Sequence, residues 1–345
     1  MLKEFNLNTS LFKLRNFLKS ENKMTTINTD KLNIGFLFLS LIIAIILPFE
    51  LFLFSYAILG PMHYLTEINW LKSKTYFSKT AKPAYILIGI VTLISLIYLS
   101  NFFNVGWFGF DISRYVKITV SILILSSFVF VILLEFFENK FGIWACLGLS
   151  VFIALLLLKL HSSFHIFSLV FLPTLVHVYF FTGLFMLYGY LRQKKTLGLF
   201  AVALLIIIPF LIYVMPDEFF QQIKFSSAED TYNNGGFAQL NALLSKPFNT
   251  NVNPILNIKI QSFIAFAYTY HYLNWFGKTN VIGWARTINK RNLILILSIW
   301  LAIVGIYVYD YTLGLLLLFF MSLAHVLLEF PLNIKSFKGI FNFIK

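Results

Sequence analysis

The stretch LGLFAVALLIIIPFLIYVM, residues 197–215, holds no charged residue. Arg192, Lys194 and Lys195 precede it, and the mixed-charge segment 216–257 follows. Roughly 20 consecutive apolar residues make a helix long enough to cross a bilayer, and this run is of that length. Nine more apolar runs lie at 33–47, 49–66, 83–101, 116–134, 142–158, 166–188, 258–276, 292–309 and 311–330. Several are shorter than a full crossing, which suits tilted, broken or lipid-shielded helices. Composition agrees: 59% of the 345 residues are hydrophobic, 12% are charged, and the mean hydropathy is +0.81. These values exclude an ordinary cytosolic enzyme, a disordered regulator and a disulfide-stapled secreted domain. Cys146 is the sole cysteine, so no disulfide or cysteine-rich zinc site can form within the chain. The expectation is an all-α, polytopic integral membrane bundle of about ten transmembrane helices.

Charge places the ends. Lys and Arg outnumber Asp and Glu by 27 to 14, a net +13, yet the cations follow no nucleic-acid motif. They fall in alternate loops: Lys72, Lys74, Lys79 and Lys82; Lys140; Arg192, Lys194 and Lys195; Lys278, Arg286, Lys290 and Arg291; and the tail with Lys335, Lys338 and Lys345. Positive-inside bias then predicts cytoplasmic N- and C-termini, with the lipid bilayer rather than nucleic acid as the partner of the basic residues. Residues 1–31 read as a basic amphipathic cytoplasmic segment, or as a plain tail, and they have no h-region of a signal peptide. Residues 32–345 read as a single membrane domain without internal repeats. Its external segment, 216–257, carries a turn at Asn233–Gly236 and a short amphipathic helix over 237–244, and serves as a lid or a connector. Abundant Asn, Lys, Ile and Phe suggest an AT-rich bacterial genome, hence a bacterial inner membrane.

Ionisable residues inside spans are costly, and each is a candidate for function. His63, His271 and His325 lie about a turn from the cytoplasmic ends of their helices, and His177 lies somewhat deeper. Four helices thus bring one imidazole each to a similar depth. Glu67 and Glu329 follow His63 and His325 at i+4, on the same helical face, where a carboxylate can orient an imidazole or ligate a metal itself. Asn274, at i+3 from His271, is a neutral counterpart. The bland alternative for each histidine is an interhelical hydrogen bond. Imidazole clusters hold zinc, copper, iron or nickel. His161 and His165 form a separate HSSFH pair at the external edge, which reads as an interfacial pair. Glu50 and Asp310 fall at solvated turns. Tyr64, Tyr268, Tyr272 and Trp275, with Tyr270 and Trp284 nearby, read either as an interfacial belt or as the lining of a cavity for an elongated apolar substrate.

The segments Gly60-Pro61-Met62-His63-Tyr64-Leu65-Thr66-Glu67 and His325-Val326-Leu327-Leu328-Glu329-Phe330 resemble, at motif level, the Brp/Blh-type membrane β-carotene 15,15'-dioxygenases. His177 and His271 fall where that family's intermediate histidines would. Tyr64 replaces the family's glycine, Glu67 its aspartate, and Trp275 the second histidine of its H-x-x-x-H motif. The resemblance implies a non-haem iron centre on His63, His177, His271 and His325, with Fe2+ as cofactor, O2 as co-substrate and a carotenoid or similar long apolar substrate. On the residues alone, two further functions stay open. One is a membrane zinc hydrolase using Zn2+, with Glu67 or Glu329 as general base. The other is a metal- or proton-coupled transporter using the histidines as relays.

Overall fold

The computed structural model describes residues 29–73, 82–103, 113–161, 163–221, 227–235, 237–246 and 254–344. The regular elements among these residues are all helical. The long helices begin with α1 (Thr29–Ile46) and α2 (48–72), separated at Leu47, where the backbone leaves the helical region. They continue with α3 (Lys82–Phe102), α4 (Tyr115–Phe137), α5 (Gly142–Leu160), α6 (Phe167–Gln193) and α7 (Thr196–Val214). Two short helices, α8 (Ser227–Asn234) and α9 (Ala238–Ser245), lead to α10 (Pro254–Gly277), α11 (Lys290–Tyr309) and α12 (Tyr311–Ile344). Of the basic segment 1–31, residues 29–31 open α1 and the rest lies outside the described residues, as do Lys74, Lys79 and parts of 216–257.

Among the described residues, eight helices are long and apolar enough to cross a membrane: α1, α3 to α7, α11 and α12. This marks an integral membrane protein with an all-α bundle. The runs expected at 49–66 and 258–276 form α2 and α10, which do not meet that measure. Their polar residues explain this. The first carries His63 and Glu67, and the second carries Lys259, Gln261 and Asn274. A helix wrapped by other helices needs no lipid-facing surface, and 17 of the 24 residues of α10 are buried.

Packing around these two helices defines the molecule. α10 lies along α2, α6, α7 and α9, while α12 lies along α2, α3, α6 and α11. One apolar cluster includes Leu37, Phe52, Ile208 and Phe266, from α1, α2, α7 and α10. A second includes Leu87, Ile124, Ala154 and Leu327, from α3, α4, α5 and α12. α6 and α12 contribute to both, through Val178 and Leu318 in the first and Leu172 and Leu323 in the second. The seam between the clusters therefore runs along α6 and α12.

Two departures from regular α-helix adjoin this seam. Ser55–Leu59 in α2 and Phe167–Phe181 in α6 are π-helical. In α6 the wide turns accommodate Pro173, whose ring would otherwise clash with the carbonyl four residues back and which has no N–H to donate. The expected loop between the fourth and fifth runs is instead a break at Gly142, at φ 76°, inside an otherwise helical stretch from Ser113 to Leu160. A left-handed residue there favours glycine. Lys338 Nζ reaches Glu135 Oε1 at 3.0 Å and ties α12 to α4 below that break.

Over one end of the bundle, α8 and α9 are held by buried amides. Tyr232 donates to Asn241 Oδ1 at 2.6 Å, and Asn241 Nδ2 donates to Asn257 Oδ1 and Gln261 Oε1. Gln261 in turn donates to the Pro48 carbonyl at 3.2 Å. Lys259 Nζ, largely buried, donates to the Tyr213 and Met215 carbonyls at the end of α7 and pairs with Asp217 at 2.7 Å. Asp310 caps α12 by accepting from the Leu313 amide.

Candidate metal centre

His63 from α2, His177 from α6, His271 from α10 and His325 from α12 meet at the seam, none more than 7% exposed. Their rings form a closed quadrilateral. Centroids are 4.8 Å apart for His63 and His271, 5.1 Å for His271 and His177, 4.9 Å for His177 and His325, and 5.4 Å for His325 and His63. The Nε2 atoms turn inward: His63 and His271 approach to 3.2 Å, His177 and His325 to 3.0 Å. Three of the four, His63, His271 and His325, have ligand atoms all within 4.8 Å of one another. His177 joins through its contact with His325.

Two carboxylates stand at opposite corners. Glu67 Oε2 lies 3.1 Å from His63 Nε2, the i+4 relation expected. Glu329 departs from expectation: its Oε2 lies 3.5 Å from Nε2 of His177, on another helix. Both glutamates are buried. Neither oxygen has a hydrogen-bond partner among the described residues, despite the short distances. The imidazoles pair through Nε2, while one oxygen of each carboxylate stands beside them without a donor. Leaving buried carboxylates without donors is expensive, and a cation beside them offsets the cost. Two donors held about 2.1 Å from one ion lie ~3.0 Å apart at a right angle and ~3.4 Å apart at a tetrahedral angle. The four neighbouring pairs, at 3.0–3.5 Å, are spaced as adjacent donors of such a shell are. The donor set, nitrogen with two oxygens, fits a borderline divalent transition ion.

The protonation of His271 follows from its neighbour. Thr182 Oγ1 donates its one proton to the Val178 carbonyl at 2.7 Å. It can therefore only accept from His271 Nδ1, 2.8 Å away. His271 then carries its proton on Nδ1 and directs the Nε2 lone pair at the centre. Asn274, the neighbour expected from sequence, makes no such contact; its Oδ1 has no partner among the described residues. Thr182 is 89 residues from His271 in sequence, and no local signal pairs them.

Aromatic residues wall the centre. Tyr64 stacks on His325 at 4.0 Å and its hydroxyl bonds that of Tyr272 at 2.8 Å. Gly60 admits this pair, since a Cβ there would fall 3.2 Å from both hydroxyl oxygens. Trp275 stands edge-on to His63 at 5.4 Å and donates to Thr66 Oγ1. These residues divide between two cavities. Tyr64, Tyr268 and Tyr272 line a mostly apolar one of about 710 Å³, which reaches His177, His271 and His325 beneath α9. Trp275 lines the other, of about 620 Å³, with His63, Glu67, His271 and Glu329 at its floor and Arg192, Lys195 and Lys278 further out. His271 borders both. Burial pulls the Lys278 ammonium down to about 8, against the opposing pull of Asp30.

His161 and His165 take no part in the cluster. His161 lies beyond the end of α5 and is exposed, and His165 sits in the separate helix Ser163–Ile166, so the two do not share one helical face. No protein-family model, no curated protein and no solved structure matches the chain.

Proposed function

We propose that the chain is an integral-membrane, metal-dependent oxygenase that holds iron(II) on His63, His177, His271 and His325 and acts on a carotenoid or another long apolar substrate. The cluster of His63, His271 and His325, with ligand atoms within 4.8 Å of one another and with His177 and two unpartnered carboxylate oxygens beside it, carries this proposal. The adjoining apolar cavity supports it by offering a dry place for the substrate next to the centre. The loop cations support ten crossings, with α2 and α10 as shielded spans and both termini cytoplasmic, and the Asn-, Lys-, Ile- and Phe-rich composition supports a bacterial inner membrane.

Iron in this site would supply the one-electron chemistry towards O2 that side chains lack. The residues of the chain do the rest. Thr182 keeps the His271 lone pair aimed inward, and Glu67 and Glu329 offset the ion's charge. The Tyr64–Tyr272 pair walls the apolar cavity where it meets the centre, and the surrounding helices keep bulk water out. A second function, metal transport, draws support from His271, which borders both cavities.

Metal analysis of detergent-purified protein, with His63→Ala and His325→Ala alongside, tests the proposal. About one iron per chain, lost in both variants, together with O2 uptake on adding β-carotene or another long polyene, is the expected result. Zinc at that stoichiometry would favour hydrolysis. Metal flux into proteoliposomes without O2 uptake would favour transport. Protein prepared anaerobically that holds no transition metal would refute all three.

A further inference from the structure

The apolar cavity has a direction. Thr312, Leu315, Leu316, Phe319, Ser322 and Leu323 line it along one face of α12, and His325 borders its inner end. From Thr312 to His325 the helix rises about 20 Å at 1.5 Å per residue. One leaflet of a bilayer's hydrocarbon core is about 15 Å deep, so an acyl chain of membrane length fits between the mouth and the imidazoles. The inner part is walled by Tyr64, Tyr268 and Tyr272, and the outer part lies under α9.

The outer part also borders two cations, Lys117 from α4 and Lys246 at the end of α9. Both side chains are exposed. Among the described residues that line this cavity there is no aspartate or glutamate. The two lysines lie on the side opposite the cation-rich loops, so inside-positive bias does not account for them. An apolar cavity bordered by the histidine cluster at one part and by ammonium groups at another matches an amphiphile with one acidic head.

We propose that this cavity takes a single long apolar chain ending in an anionic head, a carboxylate or a phosphate. The head would lie at Lys117 and Lys246, and the chain would run along α12 to the histidines. This rests on the proposed function for the identity of the reacting end, and it narrows the substrate from any long hydrocarbon to an acid-headed one.

Binding needs neither metal nor O2, so it can be measured on the full chain, stripped of metal, in phosphatidylcholine nanodiscs. The probes are radiolabelled palmitate, lysophosphatidate and palmityl alcohol. Two exposed lysines facing one head group predict that one or both acids bind about tenfold tighter than the alcohol. The Lys117→Gln/Lys246→Gln double variant should lose that preference while binding the alcohol as wild type does, which also shows that the cavity has folded. Which acid is preferred tells carboxylate from phosphate. Equal binding of acids and alcohol by the wild type, or a preference that survives the double substitution, would overturn the proposal. A protein that prefers acids but takes up no O2 would refute the oxygenase alone. An active oxygenase without the preference would refute the anionic head alone.

Discussion

Replacing Thr182 by valine removes one hydroxyl with little change of shape, and it separates metal binding from folding. Thr182 is 3% exposed, and its Oγ1 is the acceptor for His271 Nδ1 at 2.8 Å. In metal-free protein the loss is softened, because His271 can carry its proton on Nε2 and donate to His63 Nε2, 3.2 Å away. The expected change in metal-free stability is therefore only about 1 kcal/mol. With a metal bound, that shift is blocked, because the Nε2 lone pair is in use. Nδ1–H is then left buried without an acceptor, at about 1–3 kcal/mol, or ~10–100-fold in metal affinity. The assay is anaerobic competition for iron(II) against a chelator, with thermal melts of the metal-free proteins in parallel. Thr182→Ser keeps the hydroxyl and should restore the affinity. Two results would refute the reasoning: a valine variant within about threefold of wild-type affinity, or equal losses of stability with and without metal.

Lys278 gives a pH signature. Its folded-state value of about 8 lies below the ~10.4 of an unfolded lysine, so its burial cost is fully present below pH 8 and is released as pH rises from about 8 to 10.4. Lys278→Met should melt higher than wild type at pH 7 and lose that advantage by about pH 10; an advantage independent of pH would contradict the assignment. Lys259→Met removes the donor to the Tyr213 and Met215 carbonyls and the partner of Asp217, and should cost about 2–3 kcal/mol in denaturant unfolding. Asn241→Leu breaks the links from Tyr232 to Asn257 and Gln261, and should speed amide hydrogen exchange in α8 and α9 while α3 to α5 stay protected.

Buried polar groups explain why α2 and α10 carry the site yet lack the hydropathy of a free-standing span. A helix partly facing lipid must keep that face apolar, whereas one inside a ring of helices can spend its surface on His63, Glu67, Gln261, His271 and Asn274. The same shielding makes the cluster costly without an ion, since Glu67 and Glu329 are buried and little solvated.

Local signals determined the helical membrane class and the selection of residues. Runs such as 197–215 can satisfy their backbone in lipid only as helices, and a histidine near the inner end of an apolar run stands out against its surroundings. The i+4 spacing placed Glu67 beside His63 because that contact lies within one helix. What joined the four histidines into one quadrilateral was tertiary packing: His63 and His271 are 208 residues apart, and His177 and His325 are 148 apart. Rotation of each helix about its axis is set by interhelical packing, and π-turns in α2 and α6 shift that rotation beyond what a 3.6-residue period foretells. This is why Glu329 faces His177 across helices, why Thr182 rather than Asn274 holds His271, and why Trp275 lines a different cavity from Tyr64, Tyr268 and Tyr272. The break after α5 likewise separates His161 from His165, which a continuous helix would have put on one face. Which residues are out of place in a membrane is a property of the local sequence; which of them face each other depends on how every helix is turned against its neighbours.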